Sequence, residues 1–179
     1  MSKKLLYLFG EPGTGKITVA RILQERLGWK LFWLHDLDTV CEIVGKYPLP
    51  RLMDTISLAV LKELMASGQD IIYVRPSRDL QTRDGVRGLA HARDYAVYSI
   101  HLWANYDTLV ERVENRRNGS KFRVKSRDDL DFYLGSRHST MIASGECLVN
   151  TDGTTPEKVA DTIQDLVQFT APVMSSANI

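Results

Sequence analysis

Cysteine is nearly missing from this chain of 179 residues. Cys41 and Cys147 stand far apart, without metal-ligand spacing. That excludes a disulfide framework or a zinc ribbon and leaves two reduced thiols, as expected of a cytoplasmic protein. Long apolar runs are absent too, which removes a membrane span. Lys3-Lys4 ahead of Leu5–Phe9 has the charge of a secretory n-region, but its apolar stretch is too short and ends in glycine. No membrane association is expected. Charge of either sign is scarcely in excess, with 23 Lys and Arg against 22 Asp and Glu. That balance argues against a broad basic face for nucleic acid as the basis of function, although a local basic patch is present. No repeat, heptad array or low-complexity tract interrupts the chain, and its hydrophobic content is 44%. That composition and length suit one domain over residues 1–170, with 171–179 a loosely held tail.

One short stretch is specific. Gly10-Glu-Pro-Gly-Thr-Gly-Lys16-Ile-Thr18 follows the apolar run Leu5-Leu-Tyr-Leu-Phe9 and precedes the helix-like Val19–Leu27. Strand, glycine-rich turn and helix in that order are what a phosphate-binding P-loop requires. Glycines let successive backbone N–H groups converge on phosphate oxygens, the helix N-terminus adds partial positive charge, and Lys16 adds a whole one. Gly10, Glu11, Pro12, Gly13, Thr14, Gly15, Lys16, Ile17 and Thr18 are the expected nucleotide-binding residues. The ligand implied is a nucleoside triphosphate.

Strand-like and helical patterns alternate beyond the loop. Strands are expected at Lys30–Leu34, Asp70–Val74, Tyr95–Leu102 and Cys147–Asn150. Helices are expected over residues 39–44, Arg51–Ala66, Gln81–Arg93, Tyr106–Arg117, Arg127 to about Met141, and from Thr154-Thr-Pro-Glu157 onward. Gly85 and Gly88 weaken the third of these. The fold class that follows is α/β: a three-layer P-loop fold whose five-stranded parallel sheet has helices on both faces. Ligands then bind beyond the carboxyl ends of the strands.

The residues after each strand are the candidates for chemistry. His35-Asp36-Leu-Asp38 places two carboxylates after the second strand, where they could hold the water shell of Mg²⁺ and take a proton from an attacking hydroxyl. Asp38 also suits a helix cap, and His35 suits a packing role. The third strand ends in Arg75-Pro-Ser-Arg78, without the acidic metal ligand usual in motor-type or transporter-type ATPases. Arg75 and Arg78 are candidate anion-gripping substrate residues, or plain loop arginines. Arg116-Arg-Asn-Gly-Ser-Lys121-Phe-Arg123-Val-Lys-Ser-Arg127 is the densest basic stretch. It reads as a lid near residues 116–127, with Arg116 and Arg123 as catalytic candidates. A solvated helix end and a nucleic-acid patch are the competing readings. Asn150–Thr154 suits either a turn beside an adenine ring or a simple helix cap.

The loop, with threonine at the second position after its lysine, resembles that of adenylate kinases. With the Asp36/Asp38 pair and the basic segment, the chain resembles the P-loop kinases of the adenylate kinase, shikimate kinase and gluconate kinase group. The likeness implies ATP as phosphoryl donor, Lys16 on the transferred phosphate, and Mg²⁺ at Thr18 and, through water, Asp36. It implies Asp36 as the group organising Mg²⁺ or deprotonating the acceptor, and Asp38 against the substrate. Val74-Arg-Pro-Ser-Arg78 departs from both the Asp-Gly-Phe-Pro-Arg of adenylate kinases and the glycine run of shikimate kinases. The expected activity is transfer of the γ-phosphoryl group to a hydroxyl of a small-molecule acceptor. A nucleotide or polynucleotide kinase and a non-catalytic nucleotide-binding module remain the alternatives.

Overall fold

Leu5-Leu-Tyr-Leu-Phe9 offers no polar alternation, so a strand made from it cannot keep a wet face. All five side chains are in fact fully buried. The computed structural model describes residues 2–33, 50–76, 80–115, 124–135 and 143–169. Strand β1 (Lys3–Gly10) lies at the centre of a five-stranded sheet with β2 (Lys30–Trp33), β3 (Ile71–Val74), β4 (Tyr95–Trp103) and β5 (Glu146–Asn150). The order is β2-β3-β1-β4-β5, and every pairing is parallel. Six helices accompany it among the described residues: α1 (Lys16–Leu27), α2 (Pro50–Ala66), α3 (Leu80–His91), α4 (Tyr106–Glu114), α5 (Arg127–Gly135) and α6 (Pro156–Phe169).

The two faces of the sheet carry separate cores. Val19, Ala20 and Leu23 of α1 and Val159, Ile163 and Val167 of α6 pack on Leu6, Leu8, Ile72 and Ile100. On the opposite face, Leu61 and Met65 of α2 and Val86 and Ala90 of α3 cover Leu5, Tyr7, Phe9 and Tyr73. A smaller cluster joins Leu109, Val110 and Val113 of α4 to Val124 and Leu130. This is the three-layer α/β architecture that the alternating pattern implies.

Local chemistry sets the element ends. Gly28 closes α1 in the left-handed region at φ 70°, its N–H donating to the Gln24 carbonyl at 2.9 Å. Gly85 and Gly88 do not interrupt α3, because both face outward, where a Cβ would meet nothing, while Arg83, Val86, Arg87 and Ala90 turn inward. The start of α6 differs from expectation by one residue. Thr155, not Thr154, stands before Pro156, and its hydroxyl accepts from the Lys158 N–H at 3.4 Å. The expected helix at 39–44 and the extension of the Arg127 helix beyond Gly135 lie outside the described residues.

Candidate active site

The β1–α1 turn is built as the motif requires. Gly10, Gly13 and Gly15 all take positive φ (151°, 95° and 79°), conformations that side chains oppose. Space opposes them too. A Cβ on Gly10 would lie 2.1 Å from the Leu102 carbonyl oxygen, and one on Gly13 would lie 3.1 Å from that of Leu109. Gly10→Ala is therefore expected to cost about 2–3 kcal/mol, a fall of roughly 6–9 °C in thermal midpoint for a domain of this size. Calorimetric unfolding checks it, and an unshifted midpoint would contradict the contact.

Gly15 is the N-cap of α1 and has no side chain with which to cap it. The first-turn N–H groups of α1 thus have no capping side chain, as at helix N-termini that receive phosphate. Lys16 Nζ donates to the Glu11 carbonyl at 2.6 Å and lies 3.2 Å from Thr14 Oγ1. Thr14 is buried and holds the same carbonyl through its hydroxyl at 2.9 Å. Glu11 therefore contributes its backbone oxygen as the knot of the loop. Thr18 is exposed on the first turn, and its hard hydroxyl oxygen suits Mg²⁺. Ile17 is half-buried behind it.

A tether that the sequence reading missed braces the loop from behind. Arg112 of α4 donates to the Gly13 carbonyl at 3.3 Å, to Thr151 Oγ1 at 2.9 Å and to the Thr151 carbonyl at 2.6 Å. Thr151 in turn donates through its N–H to the Trp103 carbonyl at 2.9 Å. Asp152 accepts from the Asn105 N–H through both carboxylate oxygens, at 3.1 and 2.9 Å. The turn after β5 is thereby fixed to the start of α4 and, through one guanidinium, to the P-loop. An arginine inside the Glu111-Arg-Val-Glu114 helix was the available signal, but its partners are supplied by tertiary structure.

Arg75 differs from the open loop arginine that its Arg-Pro-Ser setting suggests. It is fully buried, its Nη2 lies 2.5 Å from Asp54 of α2, and its Nη1 donates to the Tyr73 hydroxyl at 3.3 Å. As an anion grip it would have to release Asp54. Beside it is a second buried group. Arg83 Nη1 meets Glu146 Oε2 at 2.6 Å, and the Ala143 N–H donates to the same oxygen at 2.8 Å. Arg87 lies 3.5 Å from the other oxygen. The Arg83 guanidinium sits 5.1 Å over the Phe9 ring, against which His101 stacks at 5.1 Å. Burial, then the charges of Arg83 and Lys16, lower the His101 pKa to about 4, so its imidazole is neutral at pH 7.

His35, Asp36, Asp38, Arg78, Arg116 and Arg123 lie outside the described residues, as does most of the basic segment. Among the described residues no cluster of three His, Cys, Asp or Glu forms, and no helix is long and apolar enough to cross a membrane.

No family model matches the chain. A shikimate kinase of Gloeobacter violaceus is 27% identical over 166 residues, spanning 90% of this chain and 91% of that protein. A sugar kinase from Janibacter superimposes with a TM-score of 0.70 at 15% identity, covering 94% of this chain and 96% of its own. A gluconokinase from Sinorhizobium meliloti superimposes with a TM-score of 0.67 at 18% identity, covering 92% of each chain. At such identities the two structures speak for the fold.

Proposed function

We propose that this chain, a P-loop kinase of the group that resembles shikimate kinase and gluconokinase, transfers the γ-phosphoryl group of ATP to a hydroxyl of a small molecule. The observation that supports the reading most is the loop itself. Three positive-φ glycines, a helix N-terminus without a side-chain cap and the Lys16 ammonium converge where a triphosphate tail would lie. Arg112 holds that loop against the turn that follows β5. The chemistry needs little more than positioning and charge neutralisation.

In the reaction the acceptor oxygen bonds to the γ-phosphorus, the bond from phosphorus to the β–γ bridging oxygen breaks, and ADP departs. Asp36 takes the hydroxyl proton, Asp38 and Arg78 contact the acceptor, and Arg116 and Arg123 offset charge on the transferred group. Mg²⁺, held by Thr18 and through water by Asp36, would screen the phosphate charges when bound. The setting is the cytoplasm, where ATP is available and Cys147 remains a free thiol.

The test is ADP production across sugars, nucleosides, nucleotides and antibiotics, with Mg·ATP binding followed by calorimetry. Asp36→Asn should lower turnover about 100-fold, the range of general-base contributions, while Mg·ATP still binds. Full turnover by that variant would remove Asp36 from the mechanism, and absence of nucleotide binding would end the kinase reading.

A further inference from the structure

Helix α4 is seated against the P-loop before its arginine comes into play. Asn105, its N-cap, has no side-chain cap of its own. The Asp152 carboxylate, from the turn after β5, takes the Asn105 N–H at 3.1 and 2.9 Å. One turn on, Leu109 presses against the loop, so closely that a Cβ on Gly13 would lie 3.2 Å from the Leu109 Cα. Arg112 follows on the next turn.

The guanidinium is anchored at the end of the sheet. Its Nη2 donates to the Thr151 carbonyl at 2.6 Å and its Nη1 to Thr151 Oγ1 at 2.9 Å. Thr151 is itself fixed, being only 3% exposed, with its N–H and hydroxyl both donating to the Trp103 carbonyl at 2.9 and 3.1 Å. A planar fork held by two short bonds keeps its orientation. The third contact, from Nη1 to the Gly13 carbonyl at 3.3 Å, therefore runs from a rigid support to a permissive glycine.

Gly13 needs that support. At φ 95° it takes a conformation open mainly to glycine, and the same freedom lets the Gly13–Thr14 peptide turn over at little cost. A trans peptide has its carbonyl and N–H on opposite sides. The carbonyl drawn to Arg112 thus sends the Thr14 N–H the other way, to the Glu11 carbonyl at 3.3 Å. The same oxygen accepts from Lys16 Nζ at 2.6 Å and from Thr14 Oγ1 at 2.9 Å. Three donors share one oxygen, and the N–H contact is long for its kind. A phosphate oxygen bound by Lys16 would find the Thr14 N–H beside it. With the peptide turned over it would meet a carbonyl, one partial negative charge against another.

We infer that Arg112 is a positioning residue for triphosphate binding. Tied to Thr151, it holds the Gly13–Thr14 peptide with its N–H on the side of Lys16, so the turn after β5 governs the grip of the P-loop on phosphate. This rests on the kinase reading only for naming a triphosphate as the ligand. The role differs from contact with a nucleoside, since the bonds of Arg112 among the described residues all go to Gly13 and Thr151.

The experiment uses the full chain with Mg²⁺ and two probes, inorganic tripolyphosphate and a non-hydrolysable ATP analogue. Both are titrated by calorimetry well below each variant's thermal midpoint. Arg112→Met should weaken both probes alike, by about tenfold, the effect of losing one N–H bond to a charged oxygen. Arg112→Lys keeps the charge without the fork and should recover only a minor part of that loss. Thr151→Val, at a residue with no bond to the loop, should weaken both about threefold, and this effect should vanish in the Arg112→Met background. A loss confined to the ATP analogue would make Arg112 a nucleoside contact and overturn the inference. Full recovery in Arg112→Lys would reduce its role to charge, and unchanged affinities with a lowered midpoint would reduce it to a structural bolt. Either result overturns the inference, as does a parent chain that holds the analogue but not tripolyphosphate. Should Arg112→Met not fold, Thr151→Val decides alone, and parental affinity in that variant sinks the proposal. None of these measurements requires turnover. An active kinase whose tripolyphosphate affinity ignores Arg112 would remove this inference and keep the kinase reading. Arg112-dependent binding in a chain that phosphorylates no acceptor would do the reverse.

Discussion

Lys16→Ala should reduce kcat/KM for phosphoryl transfer by about 1,000-fold, the upper range for losing one preorganised charge-stabilising donor. The side chain reaches back to the Glu11 carbonyl at 2.6 Å, which keeps its ammonium beside the glycine-rich turn. Nothing in the two sheet-face cores depends on it, since Lys16 belongs to neither cluster. The thermal midpoint should therefore move by no more than a few degrees. Steady-state kinetics and a melting curve on the same preparation separate the outcomes. A variant that folds and turns over like the parent would mean that Lys16 does not meet the transferred phosphate.

The second large effect concerns stability. Glu146→Ala should destabilise the fold by about 3–5 kcal/mol, because it leaves a buried charge without its partner. Arg83 and Glu146 are both essentially inaccessible to water and 2.6 Å apart, and Arg87 draws on the same carboxylate. At this size the loss corresponds to roughly 10 °C in thermal midpoint. Replacing both members of the pair, Arg83→Met with Glu146→Leu, should recover much of it, since apolar groups of similar volume need no compensation. A double variant no better than Glu146→Ala would show that the Ala143 N–H or Arg87 contact matters more than the pair itself.

These two sites differ in how far the sequence discloses them. The P-loop was legible because its motif encodes backbone geometry: glycines at φ 151°, 95° and 79° are needed wherever such a turn is made, whatever surrounds it. The sheet was legible for a similar reason, since the runs Leu5–Phe9 and Ile71–Val74 are buried on both sides and show no alternation. The ion pairs were not. Arg83 and Glu146 are 63 residues apart, and Arg112 reaches Gly13 across 99, so their partners follow from topology and register rather than from local pattern. Arg75 looked open because Arg-Pro-Ser reads as a turn, and only the docking of α2 brings Asp54 to it. The one-residue error at α6 has a smaller cause: Thr154 and Thr155 are equally able caps, and Pro156 in the first helical position selects the second.

The sheet order has a further consequence for how the chain is made. Leu5 faces Ile71 on one side and Val97 on the other, so β1 has no sheet neighbour until β3 is made and lacks its second until β4 follows. At translation rates of about 5–20 residues per second, that interval is on the order of ten seconds. Throughout it, the five consecutive apolar side chains of Leu5–Phe9 lack part of their sheet in the nascent polypeptide. A ribosome paused before Tyr95 would hold this ribbon out to whatever chaperone or unrelated strand edge first reaches it.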